Sequence, residues 1–65
     1  MTESFPKSKA LRDTAKALLV ELDGGEEVWV PKSVIDEDSE VFEPGNTGTL
    51  ILAQWFCEKN GLEPR

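Results

Sequence analysis

The sequence predicts a small α+β domain: a curled antiparallel sheet of three or four short strands with one short C-terminal helix packed on it. Three observations lead there. "ALLVELDGGEEVWVP" reads as two strands joined by a glycine turn, "TLIL" as a further strand after a turn-rich stretch, and "AQWFCEKNGL" as a helix closed by a glycine. With 65 residues, the chain buries only about 60% of the surface its unfolded form exposes, which leaves little room for a deep cleft.

The leading residues "MTESFPKSKALR" mix Ser, Pro and Lys without periodic apolar content. They predict a mobile basic tail over residues 1–13, with a single domain over 14–65. Leu11, Ala15, Leu18, Leu19 and Leu22 also fall at helical spacing. The strand reading wins because "EEVWV" is short, β-branched and aromatic, and needs a pairing partner. Register follows from arithmetic. A loop of Asp23, Gly24 and Gly25 sets Leu22 opposite Glu26, Val20 opposite Val28 and Leu18 opposite Val30, so that the apolar residues share one face. Gly25 is the expected left-handed residue of that loop, and Trp29 points to the second face, with Ala17, Leu19, Glu21 and Glu27.

Pro31 cannot donate to a sheet ladder and ends the strand. Val34 and Ile35 are expected to tuck into the core, Val41 and Phe42 to form a brief strand, and "EPGNTG" to turn the chain into "TLIL". Gly61 caps the final helix, with Leu62 as the apolar contact after it and Pro64 preventing continuation. A helix of about two turns must dock to persist. The expected core is Leu18, Val20, Leu22, Val28, Val30, Ile35, Leu50 and Leu52, with Trp55 or Phe56 from the helix; Trp55 is expected buried and Trp29 only partly shielded.

Charge bounds the function. Thirteen acidic residues face seven basic ones, a net of −6. Lys7, Lys9, Arg12 and Lys16 against Glu3 and Asp13 make the first sixteen residues basic, whereas the rest carries eleven acids against Lys32, Lys59 and Arg65. Nucleic-acid binding draws affinity from neutralised phosphates, so the body of the domain disfavours it. The chain has no histidine and one cysteine, Cys57, which leaves no zinc set and no base for a catalytic thiol. Neither catalytic residues nor a metal or other cofactor are expected. A lone cysteine points to a reducing, cytoplasmic setting, and no apolar run reaches the roughly 20 residues of a membrane span.

"KALLVELDGGEEVWVPKSVIDEDSEVFEPGNTGTLILAQWFCEKNGL" resembles a group of small phage and bacterial proteins with the pattern "DGEEVWxPKS…DSEV…GTL…W…GL" and no assigned activity. The resemblance covers residues 16–62. It implies a strand over 16–22 and a common neighbourhood with phage-borne and DNA-processing genes. Two departures stand out: the extra glycine at Gly24–Gly25, and Ala53 where a capping serine often precedes the helix.

Six residues are candidates for partner binding. Trp29 offers an aromatic surface, and Lys32 and Ser33 follow it after the proline. Asp36, Glu37 and Asp38 belong to an acidic loop, completed by Glu40, that lacks the glycine and the bidentate glutamate of a calcium loop. The reading is a non-enzymatic accessory or protein-interaction module whose binding face is the acidic surface plus the Trp29 region. The alternative is a single-stranded nucleic-acid-binding module that uses Trp29 and Lys32 on a curled sheet.

Overall fold

A computed structural model describes residues 1–62. It contains strands β1 (Thr2–Asp13), β2 (Ala17–Glu21) and β3 (Glu27–Pro31), a single 3-10 turn (Lys32–Val34), strand β4 (Thr47–Ala53) and helix α1 (Gln54–Asn60). All pairings are antiparallel, in the order β3-β2-β1-β4. The α+β class with one C-terminal helix is as expected; Pro64 lies outside the described residues.

The β2–β3 hairpin has the register derived from its loop length. Leu18 faces Val30, Val20 faces Val28, and the Leu22 N–H donates to the Glu26 carbonyl at 2.7 Å. Gly24 and Gly25 take φ of 103° and 90°, a region open to glycine and strained for other residues.

The largest correction concerns the leading segment. Residues expected as a mobile tail form β1, which lies between β2 and β4 and pairs with both. It contributes Phe5 and Ala10 to the core, 2% and 1% exposed. Two irregularities break its alternation, one between Phe5 and Ser8 and one between Ala10 and Arg12. Lys7 sits in the first at φ 60°, and Ser8, buried beside it, donates through Oγ to the Phe5 carbonyl at 2.7 Å. Each bulge bends and twists the strand, which lets twelve residues serve a small curled sheet.

A second correction concerns residues 35–42. Val41 and Phe42 lie in no strand; Val41 is fully buried and Phe42 is 46% exposed. Residues 35–40 instead run as a strap along the outer edge of β4. Ile35 bridges Leu52, the Asp36 N–H donates to the Ile51 carbonyl at 2.8 Å, and the Glu40 N–H donates to the Thr49 carbonyl at 2.9 Å. Since the 3-10 turn alone links β3 to this strap, the two ends of the sheet are drawn round towards each other.

Leu18, Val20, Leu22, Val30, Leu50 and Leu52 are buried as expected, and Val28 and Ile35 are half-buried against them. Phe56 and Cys57 complete the core from α1. Trp55, expected to be buried, is 59% exposed and meets the Phe56 ring edge to face, with ring centroids 6.1 Å apart. No side chain caps α1 at Ala53; the Gln54 N–H donates instead to the Met1 carbonyl. At the other end Gly61, at φ 68°, and Leu62 both return N–H bonds to the Cys57 carbonyl, and Leu62 packs on the core.

Candidate functional site

The strap explains most of the acidic stretch. Asp36 Oδ2 accepts the Asp38 N–H at 3.0 Å, and the Ser39 N–H returns to the Asp36 carbonyl, which makes a closed turn. Ser39, 5% exposed, accepts through Oγ from the Val41 N–H at 3.2 Å and the Ile51 N–H at 3.1 Å. Glu40 Oε1 accepts the Thr49 N–H at 2.8 Å and covers Gly48, where a Cβ would come within 2.7 Å of that oxygen. Asn46 Oδ1 accepts two further N–H groups, of Phe42 and Glu43. "DSEV" and "GTL" are therefore the two sides of one lacing. Ser39 was not singled out in the sequence, and Glu40 was read only as one acid of the loop; a lone Ser among acids was the available signal.

Of the acidic candidates, Asp36 is half-buried in its turn, while Glu37 and Asp38 are exposed. Lys32 Nζ pairs with Asp13 Oδ2 at 3.0 Å, with both side chains more than a third exposed, so the pair adds well under 1 kcal/mol. Ser33 is exposed and borders two shallow grooves. One, of about 300 Å³, runs past Thr2, Ile35, Asp36, Glu37 and Ala53. The other, of about 380 Å³, lies between Lys16 and Lys32 over Ala15 and Pro31. Trp29 and Asp38 border neither, so the six candidates do not converge on one cavity.

Trp29 stands on the sheet face opposite the core and is 50% exposed. Cross-strand partners share a face, so the row through Trp29 continues to Leu19 and then Arg12. The neighbouring row runs Glu27, Glu21, Lys9 and Thr47, and on the other side Pro31 faces Ala17. Leu19 and Ala17 are half-buried. The result is a small apolar strip with Trp29 at its edge, flanked by two cations and two carboxylates.

Cys57 lies on the other side of the sheet, 1% exposed. Burial pushes its thiol pKa up, and the Glu3 and Glu58 carboxylates add to the rise, the reverse of what activates a nucleophilic thiol. Among the described residues no group of three or more His, Cys, Asp or Glu side chains is placed to hold a metal ion, and no helix is long and apolar enough to cross a membrane. No protein-family model, curated protein or solved structure matches the chain.

Proposed function

We propose that this protein is a small non-enzymatic interaction module that binds a protein partner through the open face of its sheet, with Trp29 as the anchor. One observation carries the reading: a tryptophan 50% exposed on the open sheet face, beside half-buried Leu19, with charges of both signs around it. Tryptophan supplies much of the binding energy in protein interfaces when its rim excludes water. The exposed carboxylates of Glu37 and Asp38 extend the acidic surface and would steer a basic partner. Glu21 and Glu27 beside the tryptophan, together with the Asp13 carboxylate on Lys32, oppose the tracking of a phosphate backbone. The lone cysteine and the likeness to small phage and bacterial proteins favour an accessory role in the cytoplasm.

The test is photo-crosslinking in cells from a reactive residue placed at position 19, with position 55 as control, alongside titration of labelled single-stranded DNA. A discrete protein adduct from position 19 that vanishes on Trp29→Ala is the expected result. Micromolar DNA binding that vanishes on the same substitution would replace the reading with the nucleic-acid one.

A further inference from the structure

Among the described residues, β3 has a neighbouring strand on one side only, β2. Antiparallel ladders alternate between pairs that exchange hydrogen bonds and pairs that do not. The Leu22 N–H donates to the Glu26 carbonyl, and the Lys32 N–H donates to the Lys16 carbonyl at 2.8 Å. Stepping by two between these anchors assigns the Val28 and Val30 backbone groups to β2. Glu27, Trp29 and Pro31 turn theirs outward, and all three residues are exposed. Such an edge is a template for another strand.

We infer that this edge pairs with the same edge of a second copy of the chain, antiparallel and two-fold symmetric about Trp29, joining two four-stranded sheets into one. The inference rests on the reading of the Trp29 surface as an interface and names one partner for it. In this register each Trp29 N–H donates to the partner's Trp29 carbonyl, and each Glu27 N–H donates to the partner's Pro31 carbonyl. Proline has no N–H to return, so only the terminal bond of each half is missing.

Charge selects the register. The edge is acidic at Glu26 and Glu27 and keeps a net positive charge at its other end, where Lys32, paired with Asp13 at 3.0 Å, lies across from Lys16. Antiparallel self-pairing about Trp29 brings each acidic end to the partner's lysines. Sliding the pairing so that Glu27 faces the partner's Trp29 keeps as many backbone bonds, but sets the two Glu27 residues on a diagonal about 7–8 Å apart. The Trp29-centred register separates them and lays the two indoles side by side, each flanked by Leu19. One short edge buries less than a standard interface, so the dissociation constant should be on the order of 100 µM.

Sedimentation equilibrium of the full chain between about 20 µM and 2 mM spans the monomer and dimer limits expected for that affinity. We expect monomer–dimer association that Glu27→Lys and Lys32→Glu each weaken by about tenfold, because every swap acts twice across the two-fold axis. An equimolar mixture of the two variants restores both contacts and should associate like the parent. Hydrogen exchange of the unaltered protein is an independent readout: the Glu27 and Trp29 amides should slow as concentration rises. A protein that stays monomeric, a dimer indifferent to the swaps, a mixture that fails to recover, or association without protection of those two amides overturns the inference. A monomeric protein that still gives the Trp29-dependent adduct from position 19 overturns self-pairing alone and leaves the proposed function standing.

Discussion

Removing one oxygen atom from the strap is the sharpest test of what the acidic motif is for. Ser39→Ala deletes an acceptor that serves the N–H groups of Val41 and Ile51 at 3.2 and 3.1 Å. It also removes a hydroxyl whose proton can be donated to the Val41 or Thr49 carbonyl, at 3.3 and 3.4 Å. Val41 is fully buried and Ile51 half-buried, so water cannot serve both N–H groups freely. An unsatisfied buried donor costs about 1–3 kcal/mol, and with partial rescue at Ile51 the substitution should cost about 2–4 kcal/mol. A chain this size has a total stability of roughly 3–10 kcal/mol, so much of it would be lost. Ser33→Ala is the matched control: Ser33 is exposed, and the change should stay within about 0.5 kcal/mol. Urea unfolding followed by tryptophan fluorescence and circular dichroism measures both, and amide exchange at Val41 and Ile51 localises the effect. If Ser39→Ala matched Ser33→Ala, the account of "DSEV" as lacing would be refuted, and its acids would return as candidates for contact with a partner.

Phe5→Ala should cost about 3–5 kcal/mol, and removal of residues 1–13 should abolish cooperative unfolding, because β1 holds β2 and β4 together; a truncated chain that still melted sharply would contradict the central placement of β1. Trp55→Ala should cost about 1 kcal/mol, against 3 kcal/mol or more for Phe56→Ala, since 59% of Trp55 is already in water and only 7% of Phe56 is; thermal melts that ranked them the other way would mean the wrong face of α1 is docked. Burial raises the Cys57 pKa chiefly by desolvating the thiolate. The sign then follows: stability is full below the unfolded thiol's pKa and falls as pH rises from there through the folded one. Unfolding midpoints of the parent should therefore drop above the usual thiol range relative to Cys57→Ala, and the thiol should react with a disulfide reagent only as the chain opens.

The hairpin was legible because a strict period of two on both arms and a loop of defined length leave one register that puts Leu18, Val20, Val28 and Val30 on one side. β1 was not legible for the converse reason. Its inward residues are Phe5, Ser8 and Ala10, spaced three and then two apart by a bulge, and two of them are small. No window of that segment shows alternation, and Lys7 at φ 60° has no sequence signature. The C-terminal end of α1 was read from Gly61 and Leu62. The helix's inward face was not, because Trp55 and Phe56 are adjacent and a helix of seven residues carries too few turns for spacing to rank them. Val41 shows a third limit: a fully buried residue outside any strand is held by the Ser39 hydroxyl, a contact that local propensity does not encode.

Ser39, Glu40, Gly48 and the Asp36 turn are each accounted for by a bond or a close approach that another residue type would break. Trp29 is not. Its position needs only a residue that tolerates a pleated edge, and a valine or threonine would serve the hairpin equally well. Trp55 and Phe42 are exposed to a similar degree, yet Trp55 has the Phe56 ring against it and Phe42 opens the turn held by Asn46. Among the described residues, Trp29 alone combines a large exposed ring, a half-buried apolar neighbour and an adjacent row of outward-turned backbone groups. If the fold alone accounted for this position, Trp29→Thr would leave self-association and the position-19 adduct unchanged; their joint loss, with stability changed by no more than about 1–2 kcal/mol, is what an interface residue predicts.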